Sequence, residues 1–219
     1  MSVKVIIPAS GKGKRFGGKI SKQFLKIDGK EILAHSIEKF NSMKEVDEII
    51  IAAGRENIEC VKKIVTKYKL NKVSVIVMGG KERQDSVYNA LKLLTCKDSD
   101  IVMIHDAVRP FVSTKLIKEI ILQAKKSKNV IPGIKVSDTL KRTDNKNNIK
   151  DTISRENVWA VQTPQAFNYK LLMNAFSKAY KNGFYGTDEA ALMEKYGYEV
   201  KVIQGESGNV KITVKEDMQ

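Results

Sequence analysis

The sequence predicts a layered α/β fold, a mostly parallel sheet with helices on both faces, and two observations carry that expectation. Short continuous apolar runs recur along the chain, and segments with apolar residues at helical spacing separate them, giving a βαβα alternation. The first run, Val3–Ala9, is apolar nearly throughout and leads into a glycine-rich segment, the pattern of a strand buried on both faces. It is expected to be central. Further strands are expected at Glu48–Ala53, Val73–Met78, 100–105 and 129–136, with helices at 31–42, 56–69, 84–95 and 113–127. Residues 137–156 break the alternation. Asn, Asp and Lys cluster at 143–148 between short β-capable pieces, which predicts a projecting hairpin arm; an isolated two-stranded hairpin is marginally stable, so a second subunit is its natural partner. Beyond it, 157–163 reads as a strand, Tyr169–Lys181 and 187–196 as helices, and 199–204 and 209–214 as closing strands.

A length of 219 residues with 42% hydrophobic content allows one sizeable core, so residues 1–219 are expected to form a single domain carrying the arm. Cys60 and Cys96 fall in segments that read as helical, show neither metal-ligand nor CxxC spacing, and are expected to be buried thiols in a reducing compartment. The chain starts without the basic segment and long apolar stretch of a signal peptide, and no apolar run has membrane-spanning length; a soluble cytoplasmic protein is expected. The formal charge of +14 points toward anionic partners, but its lysines are dispersed over helix faces, as in Lys62, Lys63, Lys67, Lys115, Lys118, Lys125, Lys126 and Lys128. One Trp and no interleaving of aromatic with basic residues leave no platform for stacking bases. Nucleic acid is therefore not the expected partner.

Four stretches carry chemistry. PASGKGKRFGGKISKQFL, residues 8–25, stands where the first strand ends: its glycines let backbone N–H groups approach phosphate, while Lys12, Lys14, Arg15, Lys19 and Lys22 add positive charge. A dinucleotide GxGxxG fails at Phe16 and no Walker GKS or GKT follows, so the stretch reads as a triphosphate cradle of another kind, against the plainer reading of a glycine-rich turn. GGKERQDSVYNAL, residues 79–91, leads glycines into a helix whose free backbone donors, with the Ser86 hydroxyl, suit a base edge or ribose; the plainer reading is a capped helix with Arg83 and Asp85 paired on its surface. HDAVRPF, residues 105–111, puts Asp106 at the end of a strand, as a Mg²⁺ ligand or a partner for basic groups. His105 reads as structural, since an ionised phosphate nucleophile needs no base. Arg109 either reaches substrate phosphate or braces the loop beside Pro110. The fourth group is scattered: Asp138 and Thr139, Arg155, VQTPQAF at 161–167, TDEAAL at 187–192 and NVKIT at 209–213, each unremarkable alone.

In order along the chain, PASGKGKRFG, SKQFL, GGKERQDSV, HDAVRPF, SDTLKR, VWAVQTPQAF, GTDEAAL and NVKIT resemble the motif series of the 2-C-methyl-D-erythritol 4-phosphate cytidylyltransferases. HDAVRPF also fits the related ribitol-5-phosphate cytidylyltransferases, whereas RQDSV, SDTLKR and VWAVQTPQAF resemble the methylerythritol branch. The resemblance implies a Rossmann-like sheet, an arm that hooks a second subunit into a homodimer, and a Mg²⁺-dependent transfer from CTP to 2-C-methyl-D-erythritol 4-phosphate in non-mevalonate isoprenoid biosynthesis. It implies catalytic roles for Arg15, Lys22, Arg155 and Lys211. CTP-binding positions would be Pro8, Ala9, Ser10, Gly11, Gly13, Gly80, Ser86, Asp106 and Ala107. Acceptor binding falls to Arg109, Thr139, Arg155, Thr163 and Lys211, with Thr139 and Arg155 reaching the neighbouring subunit's site. Two departures stand out: PASG replaces the family's usual PAAG at Ser10, and the sequence ends at Gln219, shortly after Glu216 and Asp217, where relatives commonly continue into a final helix.

Overall fold

The structure is a computed structural model that describes residues 1–11 and 21–218. Strands β1 (Val3–Ala9), β4 (Glu48–Ala53), β5 (Val73–Met78) and β6 (Ile101–Ile104) pair in parallel in the order β6-β1-β4-β5. Successive side chains of a strand face opposite ways, and β1 divides accordingly. Val3, Val5, Ile7 and Ala9 pack with α1 (Ile32–Asn41), α2 (Ile58–Lys67) and α4 (Thr114–Ser127), while Ile6 packs on the other face with α3 (Arg83–Leu91), α5 (Tyr169–Lys181) and α6 (Glu189–Lys195). The layered α/β fold with helices on both faces is thus present, with β1 inside the sheet.

The far half of the sheet is mixed. β7 (Val130–Lys135) pairs in parallel with β12 (Lys201–Gln204) and antiparallel with β10 (Trp159–Val161) and β11 (Gln165–Asn168), and β11 also pairs antiparallel with β6. β10 and β11 are two pieces of one run interrupted at Pro164, which has no N–H to give a ladder. The predicted strand over 157–163 is therefore shorter than expected, and β11 is an addition. The predicted strand over 209–214 is not one: that segment is irregular, held by Ile212 N–H donating to Val108 O (2.9 Å) and by the fully buried Asn209, whose amide donates to Thr163 O (2.9 Å). The helix predicted to reach residue 95 ends at Leu91, and β2 (Lys26–Ile27) and β3 (Lys30–Glu31) form a small hairpin whose Asp28-Gly29 turn has both φ angles positive. The cysteines also depart from expectation: Cys60 is exposed and Cys96 is half-buried outside any helix.

The arm is formed by β8 (Leu140–Thr143) and β9 (Ile149–Ile153), which among the described residues pair only with each other and bury none of their residues. Its tip is an Asx turn, with Asp144 Oδ1 accepting from Lys146 N–H (2.8 Å) and Asn148 N–H (3.0 Å).

Candidate active site

A cleft of about 740 Å³ opens at the C-terminal ends of β1 and β6, where ligands bind in sheets of this kind. Pro8, Ala9, Ser10 and Gly11 form one wall, Gly80 to Arg83 a second, and Asp106 and Ala107 the floor; Lys22 and Lys211 also line it. A smaller recess of about 210 Å³ adjoins it, lined by Arg109, Thr163, Thr187 and Asp188. Arg83, Asp106 and Lys211 border both.

The first wall is tied to the segment that follows the glycines. Gln23, buried, donates from Nε2 to Ala9 O (2.9 Å) and Gly11 O (3.2 Å), so the residue after Lys22 is anchored to the end of β1. Lys22 Nζ donates to Ile212 O (2.8 Å), next to Lys211. The second wall rests on a hydroxyl pair: Ser10 Oγ and Ser86 Oγ are 2.7 Å apart, and Ser86 Oγ accepts from Gly80 N–H (3.1 Å) and donates to Glu82 O (3.0 Å). With its proton on Glu82, Ser86 has only lone pairs left for Gly80 and for the Ser10 hydroxyl, which makes Ser10 the donor. The side chain at the PASG departure thus joins the two walls.

Asp106 organises the floor. Its Oδ1 accepts from Arg83 Nε (3.2 Å), its Oδ2 from Lys211 Nζ (2.8 Å), and Arg109 Nε lies 3.7 Å from Oδ2. Burial pushes its pKa up, but Arg83 and Lys211 prevail and hold it well below the usual carboxylate range, so it is ionised at any working pH. Arg109 donates from Nη1 to Asn209 O (2.7 Å) and keeps a buried Nε without a hydrogen-bond partner among the described residues. Burial lowers its pKa against the pull of Asp106.

His105 is fully buried and turned from the cleft. Its Nε2 lies 3.0 Å from Arg109 O, which can only accept, so that nitrogen carries the proton; Nδ1, 3.2 Å away, then accepts from the Thr163 hydroxyl, whose oxygen accepts from Asp106 N–H (3.0 Å). Burial pushes the His105 pKa down to about 4. Thr163, expected at the acceptor, borders the recess with its hydroxyl already engaged in fixing the backbone of Asp106.

Of the residues singled out from sequence, the structure gathers Pro8, Ala9, Ser10, Gly11, Lys22, Gly80, Asp106, Ala107 and Lys211 around the cleft, with Ser86 behind its wall and Arg109 and Thr163 at the recess. Arg15 and Gly13 lie outside the described residues. Thr139 and Arg155 line neither cavity within this one chain; both are exposed at the base of the arm, where Arg155 Nη1 donates to Ser137 O. One expectation is corrected outright: Arg83 does not pair with Asp85. Arg83 joins Asp106 and Glu189, while Asp85 accepts from Glu82 N–H (2.9 Å), Tyr180 (2.6 Å) and Tyr185 (3.0 Å). Two further carboxylates stand nearby, Glu82 lining the cleft and Asp188 the recess.

A profile of the family described as IspD, 2-C-methyl-D-erythritol 4-phosphate cytidylyltransferase, matches residues 3–219. The chain belongs to this family. Among cytidylyltransferases of that name, it is 45% identical to the Clostridioides difficile protein over 98% of this chain and 90% of the relative, and 44% identical to the Dictyoglomus thermophilum protein over 97% and 92%. The crystal structure of the Francisella tularensis 2-C-methyl-D-erythritol 4-phosphate cytidylyltransferase superposes with a TM-score of 0.85 at 33% identity, covering all of this chain and 97% of that one. A 4-diphosphocytidyl-2C-methyl-D-erythritol synthase from Anaerococcus prevotii gives 0.85 at 32% identity, over 99% and 92%. As a 2-C-methyl-D-erythritol 4-phosphate cytidylyltransferase, the chain is a nucleotidyltransferase of isoprenoid biosynthesis. No helix among the described residues is long and apolar enough to cross a membrane.

The donor set bears on the Mg²⁺ expected for such a reaction. Among the described residues no three His, Cys, Asp or Glu side chains group as ligands, and both oxygens of Asp106 are engaged by cations. These residues do not form a protein cage for the ion. They fit one carried on the phosphate oxygens of the substrate, the usual habit of Mg²⁺.

Proposed function

We propose that this cleft takes CTP, that the adjoining recess takes 2-C-methyl-D-erythritol 4-phosphate, and that the reaction occurs where the two meet, beside Asp106, Arg83 and Lys211. The observation that supports this reading above the others is the cluster of Arg83, Arg109 and Lys211 around Asp106 at the junction of the two cavities. An anionic phosphate oxygen of the acceptor attacks the α-phosphorus of CTP, a new P–O bond forms, and the bond to the β-phosphate breaks with its electron pair leaving on pyrophosphate. Anion meets anion, so fixed cations in a partly dry cleft supply the stabilisation. Lys22 faces the charge that builds at the α-phosphate, a role the family resemblance also gives to Arg15. Lys211 and Arg109 hold the acceptor phosphate for in-line approach, Arg155 and Thr139 reach it from a second subunit, and Pro8 to Gly11, Gly80, Ser86 and Ala107 shape the nucleotide side, to which the family resemblance also assigns Gly13. Mg²⁺, when bound with the triphosphate, neutralises its oxygens.

Pyrophosphate release from CTP, followed in parallel with methylerythritol phosphate and ribitol 5-phosphate, tests class and acceptor together. Release is expected with the first acceptor and at most a trace with the second. CTP binding with no release from either would make the chain a nucleotide-binding module instead.

A further inference from the structure

Glu189 opens α6 with its side chain almost fully buried, and a buried carboxylate is costly unless it is paired. Among the described residues its partner is one atom: Arg83 Nη1 donates to Oε1 (2.7 Å) and Oε2 (2.9 Å). The same guanidinium uses Nε on Asp106 Oδ1 (3.2 Å), and no partner takes its Nη2 among the described residues. Two carboxylates on different elements therefore clamp Arg83 on two sides, and burial pushes the Glu189 pKa up against the pull of Arg83. Its side chain stays 30% exposed and borders both the cleft and the recess. With Nη2 left over among the described residues, the held guanidinium keeps donors for an anion in the space that both cavities border.

Building on the proposed function, we infer that Arg83 is a further cation acting on the reacting phosphates and that Glu189 is its positioning residue, fixing the guanidinium at the junction of the two cavities. Asp106 alone does not suffice for this, because it is shared with Lys211 and Arg109. Without Glu189, Arg83 is free to turn toward solvent or to collapse fully onto Asp106, and a displacement of about 1 Å at a reacting centre can cost about 10²-fold in rate.

The test is a double-mutant cycle with Arg83→Gln and Glu189→Gln, read as kcat and KM for pyrophosphate release, beside equilibrium affinity for inorganic pyrophosphate and thermal melting. Glu194→Gln, exposed on the same helix, is the control. Arg83→Gln is expected to lower kcat by about 10²-fold or more. Glu189→Gln should lower it by about 10-fold or more with a smaller change in KM, and should weaken pyrophosphate binding. The double variant should be no worse than Arg83→Gln alone, because Glu189 acts only through that guanidinium. Wild-type kcat in Glu189→Gln, or losses that multiply in the double variant, would overturn the inference. Should Glu189→Gln fail to fold, the charge-balanced double variant compared with Arg83→Gln decides the same point. If the wild type released no pyrophosphate, the functional reading would fall, and the same cycle read on pyrophosphate affinity would still judge the clamp.

Discussion

At the scale of single residues, the cleft is an arrangement of cations whose geometry is set by partners far along the chain. Lys22 is reached through Gln23, whose amide fastens it to the end of β1, so Lys22→Ala should remove a preorganised charge without disturbing that anchor. A kcat lower by about 10²–10³-fold is expected, and near-normal turnover at saturating substrates would remove Lys22 from the catalytic set. His105 makes a different prediction, on stability. Its ordinary pKa near 6.5 applies to the unfolded chain, whereas the buried ring holds off its proton to about 4. Above neutrality both states carry a neutral ring and nothing is gained or lost. As pH falls the unfolded state takes the proton first, so folding should lose about 2 kcal/mol between roughly pH 7.5 and pH 5. Urea unfolding across that range should show a smaller loss in His105→Gln; an unchanged slope would mean that the ring titrates normally. Much of this site was legible in sequence, because Asp106 and the PASG wall sit in compact motifs at strand ends, while Lys211, in an irregular segment, was singled out by the family resemblance. The Arg83–Glu189 pair was not, since 106 positions separate its members and neither stretch names the other. One signal was available: residues two apart on a helix do not face each other, which argued against the local Arg83–Asp85 pairing from the start.

At the scale of elements, apolar periodicity located what it physically encodes and missed what it does not. β1, β4, β5 and α5 appear with the expected limits because each packs apolar residues on the core, with β5, at the sheet's edge, only partly burying its own. The segment at 209–214 alternates like a strand, yet it buries Asn209 and Ile212, fixed by side-chain and single backbone bonds, and leaves Val210 and Val214 exposed without a ladder. β11 was hidden by Pro164 just before it and by its antiparallel direction, neither of which a βαβα pattern implies. The turn from β5 into α3 shows how an element shapes the nucleotide wall. A Cβ on Gly80 would lie 2.2 Å from Asp85 Cβ, and Asp85 cannot yield, being held by Tyr180, Tyr185 and the Glu82 amide. Gly80→Ala must therefore shift the wall itself, losing the Ser86 contact. KM for CTP should rise by about tenfold, with a stability loss of about 1–3 kcal/mol from the overpacking. Unaltered KM and melting temperature would show that the loop has slack that these contacts deny.

At the scale of the whole molecule, the arm is the element that one chain leaves unexplained. A two-stranded ribbon with no buried residue is marginal alone, and it carries Thr139 and Arg155 at its base, away from the cleft of its own chain. The proposed homodimer accounts for both facts by letting the arm pack on a second subunit and deliver these residues to that subunit's site. Closed two-fold symmetry then makes a sharp prediction. Lys211→Ala and Arg155→Ala should each be nearly inactive as homodimers. When the two are unfolded together and refolded as a mixture, half of the dimers are mixed. If Arg155 acts across the interface, each mixed dimer has one doubly damaged site and one fully intact site, so activity should return to about a quarter of wild type. If Arg155 serves its own chain, every site in every dimer retains one defect and no activity returns. Sedimentation of the refolded mixture at the mass of two chains, with that quarter recovered, would establish the shared site; a dimer that recovers nothing would place Arg155 in its own subunit's chemistry.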